Sequence, residues 1–117
     1  MIAAQKKKIL KKISSKSAVI GILGMGYVGL PLMLRFADVG FEVVGFDIDQ
    51  QKVDRILDGE SYIEHISRES IKKAVDSGMS ATSNFSLISK IDVIILCVPT
   101  PLNKYREPDL SFVVNTI

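Results

Sequence analysis

The sequence predicts an α/β fold, in which helices cover both faces of an open, parallel β-sheet. Short apolar runs rich in valine and isoleucine alternate with segments whose apolar residues recur at the helical period. The connections between these segments are short and carry glycine or helix-capping residues. Helices between successive strands allow parallel pairing, and right-handed crossovers then place the first strand inside the sheet.

The first half of the chain predicts the order helix, strand, helix, strand. Apolar residues on one side of residues 6–13 indicate a short amphipathic helix. Residues 18–23 are apolar and rich in isoleucine, which is typical of a buried strand. A largely apolar helix is predicted at 27–39, because Gly40 follows it where a C-terminal glycine cap is expected. Residues 41–46 form the second predicted strand.

The second half adds two longer helices and two strands. Helices are predicted at 49–57 and 68–77, each opened by a capping side chain and followed by a glycine. A weak strand is predicted at 79–82 and a single helical turn at 83–88. The run at 93–98 is apolar throughout, so we expect a parallel strand buried on both faces. The residues that mark these ends are Asp49, Gly59, Ser67, Gly78 and either Ser83 or Asn84.

Charge divides the chain into two parts. Residues 1–16 contain six lysines and no acid, so this segment carries +6. Because the whole chain has a formal net charge of +2, the remaining residues carry 2 − 6 = −4. We predict a basic N-terminal segment at 1–16 and one folded domain at 17–117, incomplete at its C-terminus. A tail of this kind could contact an anionic membrane or nucleic acid, but the lysines lack interleaved aromatics, which favours a solvated or frayed helix. No nucleic-acid partner is therefore predicted.

The apolar stretch after these lysines predicts neither a signal peptide nor a membrane span. Residues 18–34 include four glycines and a proline, and a helical hydrophobic segment seldom carries so many helix breakers. The single cysteine excludes an internal disulfide framework, and a reducing cytoplasm suits such a chain.

Residues 24–29 have the spacing G-x-G-x-x-G between a predicted strand and a predicted helix. Gly24 would permit a sharp turn out of the strand, and Gly26 would let a diphosphate approach the backbone. Gly29 would let the helix pack close to the strand. The free N–H groups and positive dipole end of that helix would then face the phosphates. This context indicates a Rossmann-type dinucleotide-binding domain.

Asp47 ends the second predicted strand eighteen positions after Gly29, near the spacing of about 20 typical of an acid that binds ribose hydroxyls. Two neighbouring hydroxyls can donate to one carboxylate, whereas a 2′-phosphate would be repelled. The sequence therefore favours NAD over NADP. Asp49 is expected to act mainly as a helix cap.

Two prolines bracket Thr100 after the last predicted strand. Proline fixes φ, so this segment would present Thr100 firmly at the ligand edge of the sheet, although a merely stiff turn remains the alternative. Tyr62, Tyr105 and Arg106 could also approach a nucleotide.

The residues predict no catalytic acid, base, nucleophile or metal site. Cys97 lies inside an apolar run and is expected to be a core residue. His65 has no cysteine or histidine partner at the spacing of metal ligands, so no role is assigned to it.

Four motifs together resemble the N-terminal, NAD-binding domain of the UDP-glucose/GDP-mannose dehydrogenase family, and in particular its UDP-N-acetylglucosamine 6-dehydrogenase branch. The motifs are GMGYVGLPL at 24–32, GFDID at 45–49, CVPTPL at 97–102 and REPDLS at 106–111. The resemblance implies a cytoplasmic oxidoreductase of nucleotide-sugar metabolism and polysaccharide biosynthesis. Such an enzyme oxidises the C6 alcohol of a UDP-sugar to a carboxylate in two steps, with two NAD.

The resemblance also implies roles for individual residues. Lys52 stands where the family commonly has an arginine, and residues 59–66 depart from its proline-rich Pro-x-x-Glu-Pro segment, with Glu64 as the retained acid. The implied cofactor-binding residues are Gly24, Met25, Gly26, Tyr27, Val28 and Gly29 at the pyrophosphate, Asp47 at the adenosine ribose, Lys52 near the adenosine, and Val98, Pro99, Thr100, Pro101 and Leu102 toward the nicotinamide.

Family members carry their catalytic cysteine, lysine, asparagine and aspartate in later parts of a longer chain. We therefore expect this chain to bind NAD weakly and not to oxidise a nucleotide sugar by itself. We expect the full-length enzyme to bind the UDP-sugar through the missing part and to form a homo-oligomer. Two alternatives remain open at this point: a free-standing dinucleotide-sensing regulatory module, and a methyltransferase that binds S-adenosylmethionine at the same glycines.

Overall fold

The computed structural model of the protein describes residues 2–98, which contain four α-helices, one 3₁₀-helix and four strands. Each predicted element is present, and each begins and ends within four residues of its prediction. In chain order they are α1 (Ile2–Ser14), β1 (Val19–Leu23), α2 (Gly29–Asp38), β2 (Glu42–Phe46), α3 (Gln50–Leu57), α4 (Arg68–Asp76), β3 (Ser80–Thr82), the 3₁₀-helix (Phe85–Lys90) and β4 (Val93–Leu96).

The four strands form one parallel sheet in the order β3-β2-β1-β4. Ile22 of β1 lies opposite Gly45 of β2 on one side and Ile95 of β4 on the other. The first strand is therefore inside the sheet, as predicted, and β1, β2 and β4 end at the same edge. This arrangement confirms the predicted α/β fold with its parallel sheet.

The main core joins the sheet to helices α2, α3 and α4. Side chains from the strands and the helices interdigitate there, and each one buried contributes roughly 1.5–3 kcal/mol of hydrophobic stabilisation. A Cβ at Gly45 would lie 2.5 Å from the Met33 methyl group, so a larger residue there would require the flexible Met33 side chain to shift. The fully buried members include Ile22, Met25, Leu30, Met33, Val43, Ile56 and Ile71.

The opposite face of the sheet is covered, within residues 2–98, by the segment around the 3₁₀-helix. The ring of Phe85 packs against that of Phe46 with centroids 5.7 Å apart. This cover does not extend over β4, where Ile94 and Leu96 are 46% and 41% exposed. The prediction that this strand is buried on both faces is therefore wrong for the described part of the chain. Residues 85–91 pack instead against β2, where Phe85 contacts Phe46, and against β1, where Ile91 lies beside Gly21.

Helix α1 is longer than predicted and mostly exposed, as expected of a solvated basic helix. Lys12 Nζ donates to Asp92 Oδ1 over 2.9 Å, and Asp92 Oδ2 accepts the Val19 N–H over 2.9 Å. These two contacts, with the backbone N–H first, lower the pKa of Asp92 because both favour the charged carboxylate. Among the helices of residues 2–98, none has the length and apolar character needed to cross a membrane.

Candidate functional site

The carboxyl ends of β1, β2 and β4 border a cleft of about 640 Å³. Its lining includes the glycine-rich turn after β1, residues 47–49 after β2, and Cys97 and Val98 after β4. Open parallel sheets bind ligands at this edge, next to the strand where the connections change direction. The volume is also within the range of about 300–1,000 Å³ that is usual for ligand sites. The structure thus brings together three of the segments that the sequence assigned to a site.

The three glycines of the turn have different surroundings. Gly24 has φ +101°, and a Cβ there would lie 2.7 Å from the Cys97 carbonyl oxygen. A Cβ at Gly29 would overlap the carbonyl oxygen of Gly24. Gly26 is different, since a Cβ there would have no heavy atom within 4 Å. Gly24 and Gly29 are therefore required by the fold itself, whereas Gly26 leaves open space beside the cleft for a ligand.

Helix α2 begins directly after this turn. Its N-cap residue, Val28, provides no side-chain hydrogen bond, whereas Asp49 caps α3 and Ser67 caps α4 through their side chains. Backbone N–H groups at the start of a helix carry partial positive charge and bind anions such as phosphate. Tyr27 and Val28 are 83% and 63% exposed, so this helix end is open to a ligand.

Asp47 has a structural role that its position in the sequence does not predict. Its side chain is 9% exposed; Oδ2 accepts the Met25 N–H and Oδ1 accepts the Asp49 N–H, each over 2.9 Å. The carboxylate thus ties the glycine-rich turn to the end of β2. Each carboxylate oxygen has a further lone pair, so Asp47 can still accept hydrogen bonds from a ligand in the cleft. Asp49 acts as the predicted cap by accepting the Gln51 N–H over 3.0 Å.

Tyr62 lies closer to the turn than the sequence indicated. Its hydroxyl donates to the carbonyl oxygen of Met25. Lys52 Nζ and Arg55 Cζ lie 5.9 Å and 5.8 Å from the centre of its ring, within the range of cation–π contacts. Burial, together with the nearby carboxylates Asp47 and Asp49, raises the pKa of Tyr62, and Arg55 opposes this. A lone tyrosine in a loop carries no periodicity or motif from which this contact could be predicted.

Lys52 and Arg55 also line a smaller cleft of about 280 Å³ that adjoins the main one. Gly26, Tyr27, Asp49 and Lys52 line both clefts, so the two spaces meet along the glycine-rich turn. Lys52 therefore lies at the edge of the predicted cofactor site.

The remaining candidates show no catalytic arrangement in the described part of the chain. Cys97 is partly buried, its N–H donates to the Leu23 carbonyl over 2.7 Å, and burial raises the pKa of its thiol. His65 is exposed. Residues 2–98 contain no cluster of three or more side chains suited to a metal ion. The predicted site residues Pro99, Thr100, Pro101 and Leu102 lie outside the described residues, as do Tyr105 and Arg106.

Comparison with known proteins identifies the domain. Residues 18–117 match the profile of the UDP-glucose/GDP-mannose dehydrogenase family, NAD binding domain. The chain belongs to this family. Membership confirms the resemblance to this dehydrogenase family seen in the motifs, and it confirms NAD as the cofactor of the domain. It also excludes the methyltransferase alternative, since the family's domain binds NAD.

This chain aligns with only part of each longer family member. The chain is 35% identical to UDP-N-acetyl-D-glucosamine 6-dehydrogenase of Pseudomonas aeruginosa, over 82% of this chain and 22% of the relative. It is 37% identical to UDP-N-acetyl-D-mannosamine dehydrogenase of Escherichia coli K12, over 82% of this chain and 23% of the relative. The chain thus spans less than a quarter of the length of these family members.

The fold agrees with solved structures of the family. A UDP-glucose dehydrogenase from Pyrobaculum islandicum superimposes with a TM-score of 0.80 at 28% identity, over 85% of this chain and 24% of that protein. A GDP-mannose dehydrogenase from Pseudomonas aeruginosa, solved as a ternary complex, gives a TM-score of 0.77 at 30% identity, over 82% of this chain and 23% of that protein.

Proposed function

We propose that this chain is the NAD-binding domain of a nucleotide-sugar 6-dehydrogenase, which oxidises the C6 alcohol of a UDP-N-acetylhexosamine or UDP-glucose to the carboxylate. The overall reaction removes four electrons as two hydrides, and bound NAD is the acceptor of each. Water supplies the second oxygen of the carboxylate. The proposal is supported by the names of the relatives, which include UDP-sugar dehydrogenases of both N-acetylglucosamine and N-acetylmannosamine types.

The observation that carries the cofactor site is the open space at Gly26 beside the uncapped start of α2. A diphosphate can approach the backbone there, close to N–H groups and the positive end of the helix dipole. We assign residues 24–29 to the diphosphate, Asp47 to the adenosine ribose and Lys52 to the edge of the adenosine. Val98, at the end of β4, is assigned to the nicotinamide side, together with residues 99–102.

Cofactor selectivity follows from Asp47. Its carboxylate lies at the cleft, and the Met25 and Asp49 N–H groups hold both of its oxygens in place. A 2′-phosphate at this position would bring negative charge against a fixed carboxylate, whereas a ribose diol can donate to it. We therefore expect the chain to bind NAD at least about tenfold more tightly than NADP, a difference of about 1.4 kcal/mol.

Isothermal titration of the 117-residue chain with NAD and NADP tests this proposal. Saturable NAD binding with much weaker NADP binding is the expected result, and equal affinity for the two would contradict the role of Asp47. We place the catalytic groups outside this chain, so its mixture with NAD and UDP-N-acetylglucosamine should show no NADH absorbance at 340 nm. NADH formation by the chain alone would overturn that placement.

A further inference from the structure

We propose that Tyr62 is a positioning residue, which orients the peptide bond between Met25 and Gly26 for the diphosphate of the cofactor. The inference rests on the proposed cofactor site at the glycine-rich turn. Tyr62 belongs to the loop between α3 and α4, and its hydroxyl is the donor of a hydrogen bond to the Met25 carbonyl.

The hydrogen bond from Tyr62 to the Met25 carbonyl also fixes the direction of the Gly26 N–H. In a trans peptide the carbonyl of one residue and the N–H of the next point in opposite directions across a rigid plane. The hydroxyl that holds the Met25 carbonyl therefore directs the Gly26 N–H away from Tyr62. Tyr62 approaches from the smaller cleft, and Gly26 lines both clefts, so the N–H is held on the other side of the turn.

Met25 is held at both of its backbone groups. Asp47 accepts its N–H, Tyr62 donates to its carbonyl, and its side chain is fully buried. The next residue is a glycine with nothing near its Cβ position, so its own sterics cannot fix the orientation of this peptide. Donation to the carbonyl also polarises the peptide group and so strengthens the N–H as a donor to phosphate.

The loop is built so that Tyr62 stays in position. Ile63 is 7% exposed and belongs to the hydrophobic core, which anchors the residue next to the tyrosine. Arg55 Nη2 donates to the Ser61 carbonyl over 2.7 Å and also lies against the tyrosine ring. Because burial raises the pKa of Tyr62, the hydroxyl remains a protonated donor at neutral and moderately alkaline pH.

Replacement of the hydroxyl alone tests the inference. Tyr62→Phe keeps the ring and its contacts with Lys52 and Arg55 but loses the hydrogen bond to Met25. Affinities for NAD and ADP-ribose, which both contain the diphosphate, should fall about fivefold, as expected for one lost hydrogen bond. The affinity for adenosine, measured by NMR titration, should stay unchanged because adenosine has the ribose but no diphosphate.

Ser77→Ala is the matched control. The Ser77 hydroxyl also donates to a backbone carbonyl, that of Ala74 over 2.8 Å, but it lies at the end of α4. This variant should lose a comparable hydrogen bond and keep wild-type affinity for NAD.

The possible results distinguish failure of the positioning role of Tyr62 from failure of the cofactor site itself. If the wild-type chain binds no NAD, the cofactor site itself is refuted. If wild type binds and Tyr62→Phe binds NAD equally well, the positioning role is wrong and the site stands. Equal losses for NAD and adenosine would also overturn the positioning role, since a general loosening of the domain would affect both ligands.

Discussion

The glycine-rich turn at 24–29 combines two roles, which are close packing of α2 at Gly29 and access for a diphosphate at Gly26. Replacing each of these two glycines with alanine should affect one role and leave the other intact. At Gly29 a Cβ would overlap the Gly24 carbonyl oxygen and lie 3.2 Å from Ile22 Cγ2, so α2 would have to move off β1. Overpacking of this kind costs about 3 kcal/mol. For a domain of this size that corresponds to a fall in Tm of roughly 12 °C or more.

At Gly26 the added Cβ meets no heavy atom within 4 Å, so the fold should tolerate it. The free energy of unfolding should stay unchanged or rise by up to about 1 kcal/mol, because alanine restricts the unfolded chain more than glycine does. The same Cβ would stand between the backbone and an approaching diphosphate. Loss of one charge-assisted hydrogen bond is worth about 1.5–3 kcal/mol, or roughly 10- to 100-fold in affinity for NAD.

Urea denaturation and NAD titration of both variants provide the assay. We expect Gly29→Ala to be strongly destabilised and Gly26→Ala to be stable but deficient in NAD binding. A stable Gly26→Ala variant with wild-type affinity would refute the assignment of the diphosphate to this turn. A Gly29→Ala variant as stable as wild type would refute the close packing of α2 on the turn.

Two further predictions concern buried and partly buried carboxylates. Asp47→Asn keeps one acceptor but turns an amide donor toward the Met25 or Asp49 N–H, so stability in urea should fall by about 2–3 kcal/mol. Asp49→Asn is the control and should change the free energy of unfolding by less than about 0.5 kcal/mol, since asparagine caps helices as well as aspartate does. Equal losses of stability in Asp47→Asn and Asp49→Asn would show that Asp47 does not hold the glycine-rich turn. The pKa of Asp92 is lower in the folded protein than in the unfolded chain, where it is about 3.9. The ionised carboxylate therefore stabilises the fold fully above the unfolded pKa, and this stabilisation is lost as the pH falls through the folded pKa. The stability advantage of wild type over Asp92→Asn should therefore be constant near neutral pH and shrink below about pH 4, and an advantage that grows in acid would contradict the contacts with Lys12 and Val19.

Local rules were sufficient for most of the fold. Asp49 and Ser67 cap their helices as predicted, because capping depends on bonds to N–H groups only two or three residues away. The conformation of Gly24 also follows from its place between a strand and a helix, and its positive φ confirms the predicted turn.

The missed features depend on residues far apart in the chain. Tyr62 contacts Met25 across 37 positions, and Asp92 contacts Lys12 across 80. Spacing within a motif cannot encode such contacts, because they arise only when loops meet in the folded domain. The apolar run at β4 was misjudged for a related reason: the composition of a strand does not show which of its faces another element covers, and Ile94 and Leu96 remain partly exposed.

The most direct test of the cofactor site is a crystal structure of this chain grown with a saturating concentration of NAD. The account predicts that diphosphate oxygens accept hydrogen bonds from N–H groups of residues 24–29 and that the ribose hydroxyls donate to Asp47. Diphosphate bound away from this turn, or a ribose that makes no contact with Asp47, would contradict it.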